Sequence, residues 1–586
     1  MVFNRRMMTA ALAVMSLVSA ACGSDSTGPT PAQPILGLTT TAKGATAIQV
    51  TFNSVAGDNS YEIQRAEGAA SANGAFASVT TVAAPSTPGL VTFDDTGLKP
   101  TTLYRYQVIT VKGTSRSAAS GTASTTTLAF GNAALDITTD ITASRTLYAD
   151  TAYTLKGFIH VANGATLTIQ PGTTIKGDFA TLGSSLWILR GAKIQAVGTP
   201  DAPIVFTSSR AAGQRQPGDW GGLLIIGNAI NNRSGNVEVE GSGTDGTAVV
   251  SGKNYQVLYS GGTTATDNSG TLSYVRVEFA GFAPSLNNEL NSFTFAAVGS
   301  GTRASFLQSM GGLDDAYEFF GGGFDADHLV AYETGDDMYD MSEGFVGRLS
   351  FLIGFNSTQL TPRTGAGSLA TDLEGIENDG CNGSGCDNGF NQAPFTVPLV
   401  SNFTLVGCGS TTCVVSGGGF GMMIRRGSGG YYVNGVLARF PNGGISLRDA
   451  ETYARGGSVA TPDATTADLQ IRNIYFSEIG TNVFQPGGGS TIQNSLDLAA
   501  NGLTNGAGTT VALFTTLPAP GVAPAAVTDF DWTPPGTTPI AASGMATLPG
   551  KVATKAGNVV TGTAYAGAAQ PGGTKWWTGW TVYFRN

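Results

Sequence analysis

Histidine is nearly absent from this 586-residue chain, which has two, and charged residues make up only 12% of it, against about 25% in typical soluble domains. There is no surplus of basic residues either: 31 Lys and Arg face 41 Asp and Glu, a net charge of −10. A basic nucleic-acid surface is therefore not expected. No apolar stretch beyond the N-terminal region is long enough to span a bilayer. Among five cysteines there is no CxxC pair and no nearby histidine, so zinc is the weaker reading of them. What the chain has instead is glycine, 82 residues of it, and a 41% hydrophobic share arranged in short alternating runs. That pattern excludes disorder and predicts an all-β protein with many turns. The length predicts two or more units.

Arg5 and Arg6 precede an apolar stretch from Met8 to Val18, and Ser19-Ala20-Ala21 stands directly before Cys22. This reads as an export signal over residues 1–21. Its ending resembles a bacterial lipoprotein signal, which implies acylation of Cys22. Ser19 stands where such signals prefer Leu, so ordinary small-x-small cleavage remains the alternative. Residues 22–33, rich in Gly, Ser, Thr and Pro, suit a flexible tether. The expected location is the cell envelope, at the outer membrane or cell surface, with membrane contact through the lipid anchor only. The other four cysteines form two pairs, Cys381-x4-Cys386 and Cys408-x4-Cys413. In an exported protein they read as disulfides; local pairing is favoured over cross-pairing of Cys381 with Cys408 and Cys386 with Cys413.

Residues 34–128 alternate strands and turns about every ten residues, the pattern of a small sandwich. Ile48-Gln49-Val50-Thr51-Phe52 reads as an inward-facing strand, followed by Tyr61-Glu62-Ile63. Leu98-x-Pro100-x-Thr102-x-Tyr104-x-Tyr106 resembles the tyrosine-corner strand of fibronectin type III domains. The resemblance implies a spacer or adhesive module, although no RGD loop is present.

From residue 129 onward, apolar runs of five to eight residues are separated by Gly and Asn turns. Ala165 to Ile175 and Pro203 to Ser208 look like rungs of a right-handed parallel β-helix of the pectin-lyase-like kind. Leu307, Leu329 and Phe351 fall 22 residues apart, a length suited to one solenoid coil. Residues 505–570 read as irregular chain wrapping the outside, and Trp576, Trp577 and Trp580 as an aromatic cap on the open end. Gly218-Asp219-Trp220-Gly221-Gly222, the Asp-Asp-x-Tyr-Glu motif and the terminal Trp-rich segment together resemble a group of bacterial cell-surface β-helix proteins. That likeness implies a fold and a location, and hardly any chemistry.

The acidity of the chain is local. Residues 304–424 hold fifteen Asp and Glu against Arg348 and Arg363, a net −13, while the remainder has 29 Lys and Arg against 26 Asp and Glu. Within that segment Asp314-Asp315-Ala316-Tyr317-Glu318 recurs 22 residues later as Asp336-Asp337-Met338-Tyr339-Asp340. Adjacent coils lie about 4.8 Å apart, so like charges should stack. A bound cation, a shared proton or splaying into water would relieve them. Calcium is the natural cation, since carboxylates and turn carbonyls supply its six to eight oxygens. Asp325 and Asp327, pointing to one face of an extended stretch, are expected to complete the site. No EF-hand or RTX spacing accompanies these residues.

Aromatics interleave the acids. Most read as core, while Tyr317, Tyr332 and Tyr339 are candidates for stacking on sugar rings. Arg425 and Arg426 are the nearest basic candidates for contacting a ligand. Polygalacturonase-like hydrolases carry Gly-His-Gly and Arg-x-Lys, and neither is present; pectate-lyase-like enzymes use calcium-binding aspartates with an arginine or lysine base. The leading expectation is a membrane-anchored envelope protein whose β-helix binds a glycan or another surface, with a structural cation site. A polysaccharide lyase or glycoside hydrolase is the first alternative, and a structural surface-layer component the second.

Overall fold

The computed structural model describes residues 32–69, 75–128, 133–242, 257–284, 288–370, 373–409, 417–480, 482–486 and 496–586. Cys22, the signal segment and Cys413 lie outside them. The chain divides into two compact units, Met1–Thr127 and Leu128–Asn586.

In the first unit, a three-stranded antiparallel sheet (Thr39–Ala42, Ala47–Asn53, Leu90–Thr96) faces a five-stranded one built on Ser60–Glu67 and Leu103–Lys112. Alternation does the work here: Ile48, Val50 and Phe52 turn inward from one sheet, and Tyr61, Ile63, Tyr104, Tyr106 and Val108 from the other. The tyrosine corner is formed, with the Lys99 amide donating to the Tyr104 hydroxyl at 2.9 Å. Tyr106 donates to Asp95, which also pairs with Arg65 at 2.8 Å.

The second unit is a parallel β-helix. Its strands form a fifteen-stranded and a ten-stranded parallel sheet, and from Ile204–Ser208 onward successive strands alternate between the two; in the early coils, as in Thr151–Leu155, Thr166–Ile169 and Lys193–Val197, buried side chains alternate with partly exposed ones. Leu307 lies opposite Leu329, and Leu329 opposite Leu352. The third coil is therefore one residue longer than the 22-residue period predicts, and Phe351 instead stacks on His328. The extra residue falls in the turn between the flanking strands Tyr339–Ser342 and Arg348–Phe355, since Phe320 pairs with Ser342 but Asp325 with Arg348. Each long strand of the larger sheet bends at one left-handed residue: Tyr274, Phe306, His328, Phe351, Asn402, Asn434 and Asn473 all have φ between 50° and 58°. Such residues cost about 1–2 kcal/mol each when not glycine, and here they come to one corner coil after coil. The first four rings stack face to face at 4.4–4.9 Å.

Residues 505–586 run along the outside of the larger sheet, with 3-10 turns at Thr510–Leu513, Val527–Asp529 and Pro539–Ala542 and a short helix at Gly550–Ala556. Phe530, Trp532 and Tyr583 cover Met310, Val330, Tyr332, Ile353 and Phe355. The terminal tryptophans do not close the end of the solenoid. Trp576 and Trp580 meet Phe306 and His328 edge-on, and Arg276 donates to the Trp580 carbonyl, halfway along the coils. The apolar side chains that these coils turn outward, Met310, Val330, Ile353 and Phe355 among them, form one buried cluster with the aromatic segment.

Cys381 and Cys386 form the local disulfide. Cys408 is also disulfide-bonded.

Candidate metal centre

Three coils of the smaller sheet carry the acidic repeat, on the strands Tyr317–Gly322, Tyr339–Ser342 and Ile376–Asp379 and in the turns before them. Strand register places Thr294 beside Glu318, Glu318 beside Asp340, Asp340 beside Glu377 and Glu377 beside Met423. Three residues earlier on each coil runs a second column: Asn291, Asp315, Asp337 and Glu374. Its members are chained through the backbone. Asn291 Oδ1 accepts from the Asp315 amide at 3.1 Å, Asp315 Oδ1 from the Asp337 amide at 2.8 Å, and Asp337 Oδ1 from the Glu374 amide at 2.6 Å. Asp314 and Asp336 form a third column beside it.

The ladder is bounded at both ends. Below, Asn291 Nδ2 donates to Glu318. Above, Arg425 Nε donates to Asp379 at 2.9 Å, a second Arg425 nitrogen pairs with Glu377, and Arg426 pairs with Asp379. Arg233 and the Tyr259 hydroxyl converge on Glu343 at the side. Between these lies a cleft of about 500 Å³ that also receives Glu240 and Glu289.

Carboxylates this close and this buried resist ionisation. Asp314, Asp315, Glu318, Asp337, Asp340 and Glu377 are all raised well above the ordinary carboxylate range, by burial first and by neighbouring carboxylates second. Glu240 is pushed up to about 8 by burial and then by Glu289. Burial alone would lower Arg425, but Asp379 and Glu377 hold it protonated, above its usual value. Four triads have one oxygen per residue all within 4.8 Å of one another: Asp314–Asp315–Asp336, Asp315–Glu318–Asp340, Asp336–Asp337–Glu374 and Asp337–Asp340–Glu377. These clusters could hold a metal ion.

Six of the eight expected cation ligands come together here. Asp325 and Asp327 do not, because their strand, Asp325–Tyr332, belongs to the other sheet. There Arg348 grips Asp325 with two bonds of 2.7 and 2.8 Å, and Asp327 pairs with His328. The tyrosines are not stacking platforms for a ligand. Tyr317 and Tyr339 lie inside the coil, ring on ring at 5.2 Å and 0% exposed, and their hydroxyls donate to backbone carbonyls. Tyr332 is covered by Phe530 and accepts from Trp532 Nε1. His328 sits between Phe306 and Phe351, with both ring faces occupied. Arg425 and Arg426, by contrast, do reach the cleft.

Sequence reasoning missed Glu374 and Glu377, which repeat the acid-x-x-acid spacing of Asp315–Glu318 and Asp337–Asp340. The spacing was readable, but an excursion before Leu373 lengthens that coil to 37 residues and hides the period. Glu240, Glu289, Glu343 and Arg233 arrive from loops with no sequence signal.

Residues 139–518 match the family model described as the pectate-lyase like beta helix domain. No curated protein matches the chain. Among solved structures, the crystal structure of FN3tt is 18% identical over 17% of this chain and 97% of that one, with a TM-score of 0.14. The third fibronectin III domain of human KIAA0343 protein is 17% identical over 19% and 94%, TM-score 0.14. Pectate lyase Pel3 from Pectobacterium carotovorum is 14% identical over 55% and 86%, TM-score 0.14.

Proposed function

We propose, since this chain belongs to the pectate-lyase-like β-helix family, that its acidic cleft binds divalent cations, calcium foremost, and through them a carbohydrate ligand at a cell envelope. The carboxylate ladder carries this reading. Four overlapping triads offer the hard oxygen ligands calcium prefers, and sugar hydroxyls or uronate oxygens can complete a shell of six to eight. Without cations the cleft would repel a polyanionic glycan; a bound cation reverses that preference. The predicted lipid anchor at Cys22 and the fibronectin-like unit then serve to hold and space the β-helix away from the membrane.

Arg425 is tied to two carboxylates and stays protonated, which disfavours it as the base of a lyase. One observation favours a second, glycan-cleaving reading. Glu240 reaches about 8, so it keeps its proton at neutral pH as a general acid requires. Calorimetry tests the leading reading: the full-length protein is stripped with chelator and calcium chloride is added. A rise in melting temperature together with a binding isotherm is expected, followed by calcium-dependent retention on immobilised polygalacturonate. No shift and no isotherm would remove the proposal.

A further inference from the structure

We infer that the ladder takes up two divalent cations at once, one held through Asp336 and the other through Asp340, with the Ser342 hydroxyl serving the second. The inference rests on the cation-binding reading above and adds number and place to it.

Disjointness is the first ground. The triad Asp314–Asp315–Asp336 shares no residue with Asp337–Asp340–Glu377, and Asp315–Glu318–Asp340 shares none with Asp336–Asp337–Glu374. These are two ways of dividing the same grid of carboxylates. In both, Asp336 belongs to one triad and Asp340 to the other. A cation at either position therefore leaves a complete triad of other residues for a second.

Charge is the second ground. Eleven carboxylates and three guanidiniums line the cleft, a formal −8 that one dication reduces only to −6.

An independent observation places one ion. Ser342 lines the cleft and is 7% exposed, yet its Oγ finds no hydrogen-bond partner among the described residues. Asp340 Oδ1, two residues earlier on the same strand, is buried and equally without one. Residues i and i+2 of a strand face the same way. A neutral hydroxyl oxygen on the same strand face as a carboxylate oxygen, both sequestered and unengaged, is donor chemistry suited to a hard cation.

Titration calorimetry of calcium chloride alone into the chelator-stripped full-length protein at pH 7.5 tests this. Two ions per chain are expected, falling to one in Asp336→Asn and to one in Asp340→Asn. Ser342→Ala should keep two while weakening one of them by about 10-fold. One ion in the unaltered protein would overturn the inference and leave the cation reading standing; none would overturn both. Two ions retained in either Asn variant would overturn the assignment to Asp336 and Asp340. Because the unaltered protein alone reports the number, a variant that fails to fold does not shield the inference.

Discussion

The backbone amide of Asp337 donates to Oδ1 of Asp315 on the preceding coil at 2.8 Å. A side chain that looks in sequence like pure charge is thus also a structural acceptor, and the same bond recurs one coil below and one above. Only one oxygen of Asp315 and Asp337 is committed to the backbone by these bonds. The ladder is held in place by the coil it belongs to, so its carboxylates are ordered before any ligand arrives, which reduces the ordering cost of binding one.

Asp315 should accordingly separate its two roles by substitution. Asp315→Asn keeps a carbonyl oxygen for the Asp337 amide, as Asn291 does for Asp315, and replaces a carboxyl whose ionisation is opposed by burial and by its neighbours. Its cation-free stability should equal or exceed that of the unaltered protein, while calcium affinity falls. Asp315→Ala strands the buried amide and should cost about 1–3 kcal/mol. Urea unfolding with and without calcium reads both.

The raised carboxyls also fix the sign of the pH dependence. A carboxyl whose folded pKa lies above its unfolded value binds protons more tightly when folded, so its contribution is full below the unfolded pKa and lost as pH rises through the folded one. Six ladder carboxyls are shifted upward, and Glu240 reaches about 8. In chelator, the melting temperature should therefore decline from the ordinary carboxylate range near pH 4 to beyond pH 8. Saturating calcium should flatten that decline, because cations replace the protons. A cation-free melting temperature that climbs across this window would contradict the burial of the ladder.

How much of this the sequence disclosed depends on which rule governed each residue. The stacking of Glu318 and Asp340 was legible because two consecutive coils are nearly equal in length, which makes period and register the same thing. Glu377 obeys the same register but lies beyond an excursion that no periodicity survives. Asp325 misled for a different reason: it is only seven residues from Glu318, but Gly321, Gly322 and Gly323 turn the chain from one sheet to the other between them. Alternation predicted that half of the tyrosines face inward without saying which half. Tyr332 does face outward, and only residues two hundred positions later cover it.

Arg425 should act as a built-in competitor of the cation. Its guanidinium neutralises Glu377 and Asp379, one of which belongs to a triad. Arg425→Gln removes the competitor and leaves buried charge uncompensated, an outcome that typically costs about 3–5 kcal/mol. The cation-free protein should melt at lower temperature, and calcium should bind more tightly than before, recovering much of the loss. A catalytic-base role predicts otherwise, with calcium binding unchanged and only turnover lost. Isothermal titration beside thermal melting distinguishes the two.

The covering of the larger sheet by residues 505–586 makes stability there depend on contacts of very long sequence range. Trp532 is 0% exposed, stacks with Phe530 at 5.4 Å and donates Nε1 to the Tyr332 hydroxyl at 2.9 Å. Trp532→Ala removes a large buried ring from a face whose backbone is already fixed by coil-to-coil hydrogen bonds, so the gap can close only by movement of the outer segment. The expected cost is about 3–5 kcal/mol, the range for emptying a large aromatic site. Trp532→Phe retains most of the apolar area and leaves Tyr332 without its donor, which predicts a smaller loss of about 1 kcal/mol. Neither substitution touches the smaller sheet, where the ladder lies, so calcium affinity should stay at the level of the unaltered protein while the urea midpoint drops. If affinity and midpoint fell together, the ladder would not be independent of the outer segment, and the separation of the two faces argued from strand register would fail.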